Sequence, residues 1–137
     1  MLDTNIIISA ILFPKSIITE IVKHVIINHK IVLSQYSITE INEVFDRKFP
    51  HRVNEMEIFM KKLPYELFTT KEIGNKKYPK IRDIDDIPIL ANAIESYVDL
   101  LITGDKDFSE VIIKRPKIMN PREYVNEYMD NSRQTSV

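Results

Sequence analysis

Apolar residues recur at helical spacing over several stretches, and short apolar runs bounded by turn residues lie between them. Ile17, Ile18, Ile21, Val22 and Val25 fall on one face of a helix over residues 16–28. The run Lys30-Ile-Val-Leu33 ends at Ser34 and reads as a buried strand followed by a cap. Ile38, Ile41, Val44 and Phe45 mark a second helix that ends before Pro50. Val53, Met56, Phe59, Met60 and Leu63 mark a third over 52–62, stopped by Pro64, and residues 65–69 fit a strand. Ile87, Leu90, Ile94 and Val98 form another stripe, with Pro88 in the first turn, where its missing N–H is tolerated. Leu100 to Thr103 is a strand, Gly104 turns the chain, and a short helix follows near 108–113. Lys117 to Met119 is a strand, and Pro121 opens a helix to about Met129.

Strands that alternate with helices imply βαβ units. The expected fold is a three-layer α/β/α sandwich with a mostly parallel central sheet of about five strands. Residues 1–130 are expected to form one domain and 131–137, which are polar, a flexible tail. Isoleucine occurs 23 times and alanine 3 times, so composition favours neither strand nor helix and periodicity has to decide.

Composition then narrows the chemistry. The chain has 137 residues, enough for one ordinary domain with a real core. Cysteine is absent, which removes disulfides, thiolate metal sites and cysteine nucleophiles. Gly74 and Gly104 are the two glycines, which excludes Gly-rich phosphate loops. No apolar run reaches the ~18 residues of a membrane span, and no signal-peptide pattern opens the chain, so a cytoplasmic location is expected. The net charge of −1 provides no global positive field, so any nucleic-acid contact needs a local basic patch.

Acids fall where strands end. Asp3 follows Met1-Leu2, Asp105 follows the strand 100–103, and Asp83, Asp85 and Asp86 precede the helix leading into that strand. Glu40 lies one turn inside the helix after strand 30–33. At 100° per residue Glu40 sits roughly 110° from the apolar centre of its helix, and Glu43 roughly 170°. Glu40 therefore borders the buried stripe while Glu43 faces solvent. Each acid has a structural alternative. Ser37-Ile-Thr-Glu40 has capping-box spacing, Asp86 and Asp107 could be N-caps, and Asp105 could be a turn residue. Together they point elsewhere, because two carboxylates about 4 Å apart repel by roughly 4 kcal/mol at an effective dielectric near 20. A hard divalent cation removes that repulsion, and the lack of nearby histidine or cysteine favours Mg²⁺ or Mn²⁺ over zinc.

These residues resemble the motifs of the PIN domain family, in particular its toxin ribonuclease group. Leu2-Asp3-Thr4-Asn5 resembles the first motif, and Leu33-Ser34 with Ile38-Thr-Glu40-Ile41 the second. Asp83-Ile-Asp-Asp86 with the helix to Ala93 resembles the third. The family's acid stands seven residues before the helix alanine, which selects Asp86. Leu101-Ile-Thr103-Gly-Asp105-Lys-Asp107-Phe resembles the fourth. The resemblance covers residues 1 to about 129. One departure is that the family's first strand holds a few residues before its aspartate, whereas two precede Asp3 here.

The resemblance implies a metal-dependent endoribonuclease, often the toxin of a toxin–antitoxin pair. By it, Asp3, Glu40, Asp86 and Asp105 would be catalytic and hold Mg²⁺ or Mn²⁺, with Asp107 a further metal candidate. Thr4, Asn5 and Thr103 would orient these carboxylates or water. It also implies an RNA substrate, a protein antitoxin and a homodimer, with no role for a membrane. Candidate RNA contacts are the basic residues Arg47, Lys48 and Arg52, and Lys76, Lys77, Lys80 and Arg82 in the segment from 71 to 82. The competing class is a catalytically silent PIN domain that acts as a protein- or RNA-binding module. Phosphatase and receiver chemistries fit less well, since Asp3-Thr-Asn5 lacks the second acid that they need at the first strand.

Overall fold

The computed structural model describes residues 1–69 and 87–130. The element order is α1 (Thr4–Leu12), α2 (Ile17–Asn28), β1 (Val32–Ser34), α3 (Gln35–Lys48), α4 (Val53–Lys62) and β2 (Glu66–Phe68). It continues with α5 (Ile87–Glu95), β3 (Leu100–Ile102), a 3₁₀ turn (Lys106–Glu110), β4 (Lys117–Met119) and α6 (Pro121–Tyr124). A single π turn, Val125–Met129, prolongs α6.

All strand pairing among the described residues is parallel. β1 pairs with β2, Leu33 facing Leu67, and β3 pairs with β4, Leu101 facing Ile118. Leu2 adds an isolated parallel bridge to Ile102, closed by Ile102 N–H donating to the Met1 carbonyl at 2.9 Å and Asp3 N–H to the Ile102 carbonyl at 3.0 Å. The expected sheet of about five strands is thus reduced, among the described residues, to four three-residue strands and one bridge.

Side chains alternate across each strand and divide between two cores. Leu2, Leu33 and Ile102 enter the larger core with Ile7, Ile21, Ile41, Phe45 and Tyr124. Met1, Leu101 and, partly buried, Val32 enter a smaller core with Leu90, Ala93 and Phe108. Helices α1, α2, α3, α4 and α6 cover the first face of the strands; α5 and the 106–110 turn cover the second. This is the three-layer α/β/α arrangement.

The helix α1 has no counterpart in the periodicity of the sequence. Ile6, Ile7 and Ile8 form an unbroken apolar run, and Ile6, Ile7, Ala10 and Ile11 are all buried, so the helix carries little of the polar contrast that reveals a period. Its end is satisfied from the next helix. Thr19 Oγ1 donates to the carbonyls of Phe13 at 2.8 Å and Ala10 at 3.2 Å, and Ser16 caps α2. The expected helix near 108–113 is instead the 3₁₀ turn Lys106–Glu110.

Of the three histidines, His24 and His29 take part in packing. His24 Nδ1 lies 2.8 Å from the Tyr124 hydroxyl, and the His29 ring packs edge-on against Tyr124 and Tyr128. Among the described residues, Tyr97 alone of the non-glycines has a positive φ, 56°. Arg115 holds that turn by donating to the Tyr97 carbonyl and pairing with Asp99 at 3.1 Å. No single helix among the described residues is long and apolar enough to cross a membrane.

Candidate active site

Because the strands are parallel, their carboxyl ends open on one edge, and that edge is where α/β sheets build sites. Asp3 follows Leu2 there and is buried. It N-caps α1 with extended backbone, and its Oδ1 accepts the Thr4 amide at 2.7 Å. Thr103 follows β3 directly, is buried, and donates its hydroxyl to Asp3 Oδ2 at 2.6 Å. The same hydroxyl oxygen accepts the Asp105 amide at 3.0 Å. Asp105 then caps the 3₁₀ turn, its Oδ1 accepting the Asp107 amide at 2.9 Å.

The other flank comes from α3. Ser34, at the end of β1, caps this helix by accepting the Tyr36 amide at 3.0 Å. Ser37 therefore lies inside the helix, and the capping-box alternative for Ser37 with Glu40 does not apply. Thr4 Oγ1 instead donates to Glu40 Oε1 at 2.7 Å, and lies 3.0 Å from Ser37 Oγ. Glu40 is half-buried and Glu43 exposed, in keeping with their angular positions on the helix. Ser37, fully buried beside Thr4, is marked in the sequence pattern only as a possible cap and not as a site residue. Its only signal there is a hydroxyl one turn before an acid on the same helix.

The electrostatics follow from this packing. Burial pushes the Asp3 carboxyl above the ordinary aspartate range. The bonds from Thr103 and the Thr4 amide oppose that shift, and the charges of Glu40 and Asp105 add to it. Asp3 thus sits between two further carboxylates that raise the cost of its ionisation. The donors are all oxygens, the ligand type that hard divalent cations take, and a cation would relieve the repulsion. Among the described residues no three acidic or histidine side chains close into a metal-holding cluster. Asp86, the fourth candidate acid, lies outside the described residues.

The remaining candidates scatter. Asp107 is half-buried on the 3₁₀ turn, and Asn5 is exposed on α1. Arg47 and Lys48 are exposed in the last turn of α3, about 10 Å or more along the helix axis from Glu40. Arg52, expected to face RNA, is turned inward. Its guanidinium donates to the Leu12 carbonyl at 3.4 Å and to Glu55 Oε2 at 2.9 Å, tying α1 to α4. Lys76, Lys77, Lys80 and Arg82 lie outside the described residues. Gly104 has no left-handed backbone, and a Cβ added there meets nothing within 4 Å, so the turn into Asp105 does not depend on glycine.

Parallel strands between helical layers, with acids gathered at the carboxyl edge, define the chain as an α/β protein of the PIN type. A PIN domain family model matches residues 1–107, and the chain belongs to that family. Among solved structures it is similar to the crystal structure of VapBC2 from Rickettsia felis bound to a DNA fragment from their promoter. That likeness has a TM-score of 0.68 at 20% identity and covers 88% of this chain and 96% of that one, which is a likeness of fold. No curated protein matches the chain.

Proposed function

We propose that this chain is a divalent-metal-dependent endoribonuclease, the toxin half of a toxin–antitoxin pair. The observation that carries the reading is the gathering of Asp3, Glu40 and Asp105 at one strand edge by two threonine hydroxyls, Thr4 and Thr103. A fold needs no such concentration of like charge for its own stability. Membership of the PIN family supports the same chemistry.

In this reading Asp3, Glu40 and Asp105, with Asp86, hold Mg²⁺ or Mn²⁺, and Asp107 stands next to the set. Such a cation, when bound, lowers the pKa of a water and stabilises charge on the scissile phosphate and leaving oxygen. The chain's own part is orientation. Thr103 fixes Asp3 and Asp105 relative to each other, and Thr4 fixes Glu40, so the carboxylates are set before substrate arrives. Cleavage leaves a 5′-phosphate and a 3′-hydroxyl. An antitoxin partner, a homodimer and a cytoplasmic location belong to the same proposal. The first draws support from the Rickettsia neighbour, which is a VapBC complex.

The test is cleavage of a mixed RNA pool by the purified protein with Mn²⁺, Mg²⁺ or EDTA, alongside Asp3→Asn and Asp86→Asn. Metal-dependent cutting that disappears in both variants, with circular dichroism unchanged, supports the reading. Cutting that persists in EDTA or in the variants overturns it. Mn²⁺ binding without any cutting favours a silent PIN domain acting through protein or RNA contacts.

A further inference from the structure

A cavity of about 630 Å³ opens directly off the acidic edge. Thr103, Gly104 and Asp105 line it. The rest of this open trough is lined by the 106–110 turn and the segment leading into β4, with Phe108 and Ile118 among the apolar residues. Three lysines line it, Lys106, Lys114 and Lys117. Lys117 is committed to Glu127 at 2.8 Å. Lys106 and Lys114 are exposed and make no ion pair among the described residues. They come from different segments of the lining, Lys106 from the 106–110 turn and Lys114 from the stretch leading into β4.

We infer that this trough is the track for the phosphate backbone of a single-stranded RNA leaving the acidic edge, with Lys106 and Lys114 as positioning residues for its phosphates. This rests on the nuclease reading above. A chain of net charge −1 has no general attraction for RNA, and its acidic edge repels phosphate. Substrate therefore needs cations close to the acids yet not neutralised by them. Lys106 adjoins Asp105 in sequence, and Asp105 already spends one carboxylate oxygen on the Asp107 amide. Thr103 and Asp105 line the same trough as the two lysines, so a strand bound there meets the acids. Lys106 does not stand out in the sequence, flanked as it is by Asp105 and Asp107, whereas Lys114 belongs to the short basic stretch Lys114-Arg-Pro-Lys117.

The test measures fluorescence anisotropy of a labelled single-stranded RNA oligomer with the whole chain in EDTA, where the RNA stays intact, over about 50 to 200 mM salt. The variants are Lys106→Gln/Lys114→Gln and, as a control on α4, Lys61→Gln/Lys62→Gln. Each lost phosphate contact lowers the slope of log affinity against log salt by about 0.7, so the trough double variant should lose about 1.4 and the control nothing. In Mn²⁺ it should raise KM for RNA cleavage with kcat held. An unaltered slope in Lys106→Gln/Lys114→Gln, in a protein that still binds and cuts RNA, overturns the track and leaves the nuclease reading standing. A chain that neither binds nor cuts RNA overturns both.

Discussion

Thr103 gives its hydroxyl proton to Asp3 at 2.6 Å, across a hundred residues of chain, while the same oxygen receives the Asp105 amide. Replacing it with valine keeps shape and removes both bonds. Thr103→Val should lower stability by about 2–4 kcal/mol, because one bond is charge-assisted and its removal leaves a buried carboxylate oxygen without its donor. RNA cleavage should fall at least about tenfold, the factor that 1.4 kcal/mol of misplacement produces. Thr103→Ser should recover most of both. Urea unfolding and cleavage assays check this, and a valine variant as stable and active as the parent would rule the bridge unimportant.

Asp3 sets a pH dependence of known sign. Burial raises its folded-state pKa above the unfolded value, so the native state binds the proton more tightly. Its contribution to stability is present at low pH and is lost as pH rises from about 4, the ordinary aspartate value, through the elevated one. In EDTA the Asp3→Asn variant should therefore lose less stability than the parent on going from acidic to neutral pH, and should melt higher at neutrality. Thermal unfolding followed by circular dichroism over that range decides it; parallel curves for the two proteins would mean that Asp3 ionises without penalty.

Thr4 tethers Glu40 as Thr103 tethers Asp3. Thr4→Val should cost about 1–2 kcal/mol through the lost bond. On the metal-dependent reading it should also raise the Mn²⁺ concentration for half-maximal cleavage by about tenfold or more, the usual effect of losing a partner of a metal ligand. A metal titration of activity checks this, and an unchanged midpoint would place Glu40 outside the ligand set.

Tyr124 supplies a contrast away from the acidic edge. Its ring is fully buried, its hydroxyl meets His24 Nδ1, and burial pushes its pKa up to about 12. Tyr124→Phe keeps the ring contacts with Tyr128 and removes the hydrogen bond, so it should cost about 1 kcal/mol. RNA cleavage by the folded protein should be unchanged. Activity falling in step with the Thr103 variants would connect the two ends of the molecule.

Much of the fold is legible in the order of residues alone. Helical stripes locate α2, α3, α4 and α5, and Ser34 announces the start of α3. The angle of Glu40 against Glu43 indicates which acid borders the core. The first helix is not legible, because Ile6, Ile7 and Ile8 offer no polar face to set a period. Nor is the role of Arg52, whose guanidinium reaches back forty residues to the Leu12 carbonyl, a partner that local sequence does not announce. Lys106 lies alone between Asp105 and Asp107 in the sequence, and what it shares with Lys114 is the cavity that both line, a relation that local sequence does not announce.

The brevity of β3 gives it an unusual exactness. Leu101 faces the small core, Ile102 the large one, and Thr103 reaches the acids, so three successive residues address three compartments. The strand therefore works as a vernier for the whole molecule. Adding or deleting one residue within 100–103 would exchange the two cores and move the threonine off Asp3 in the same stroke. Gly104 itself can change with little consequence, but those few positions lock the chemistry to the packing.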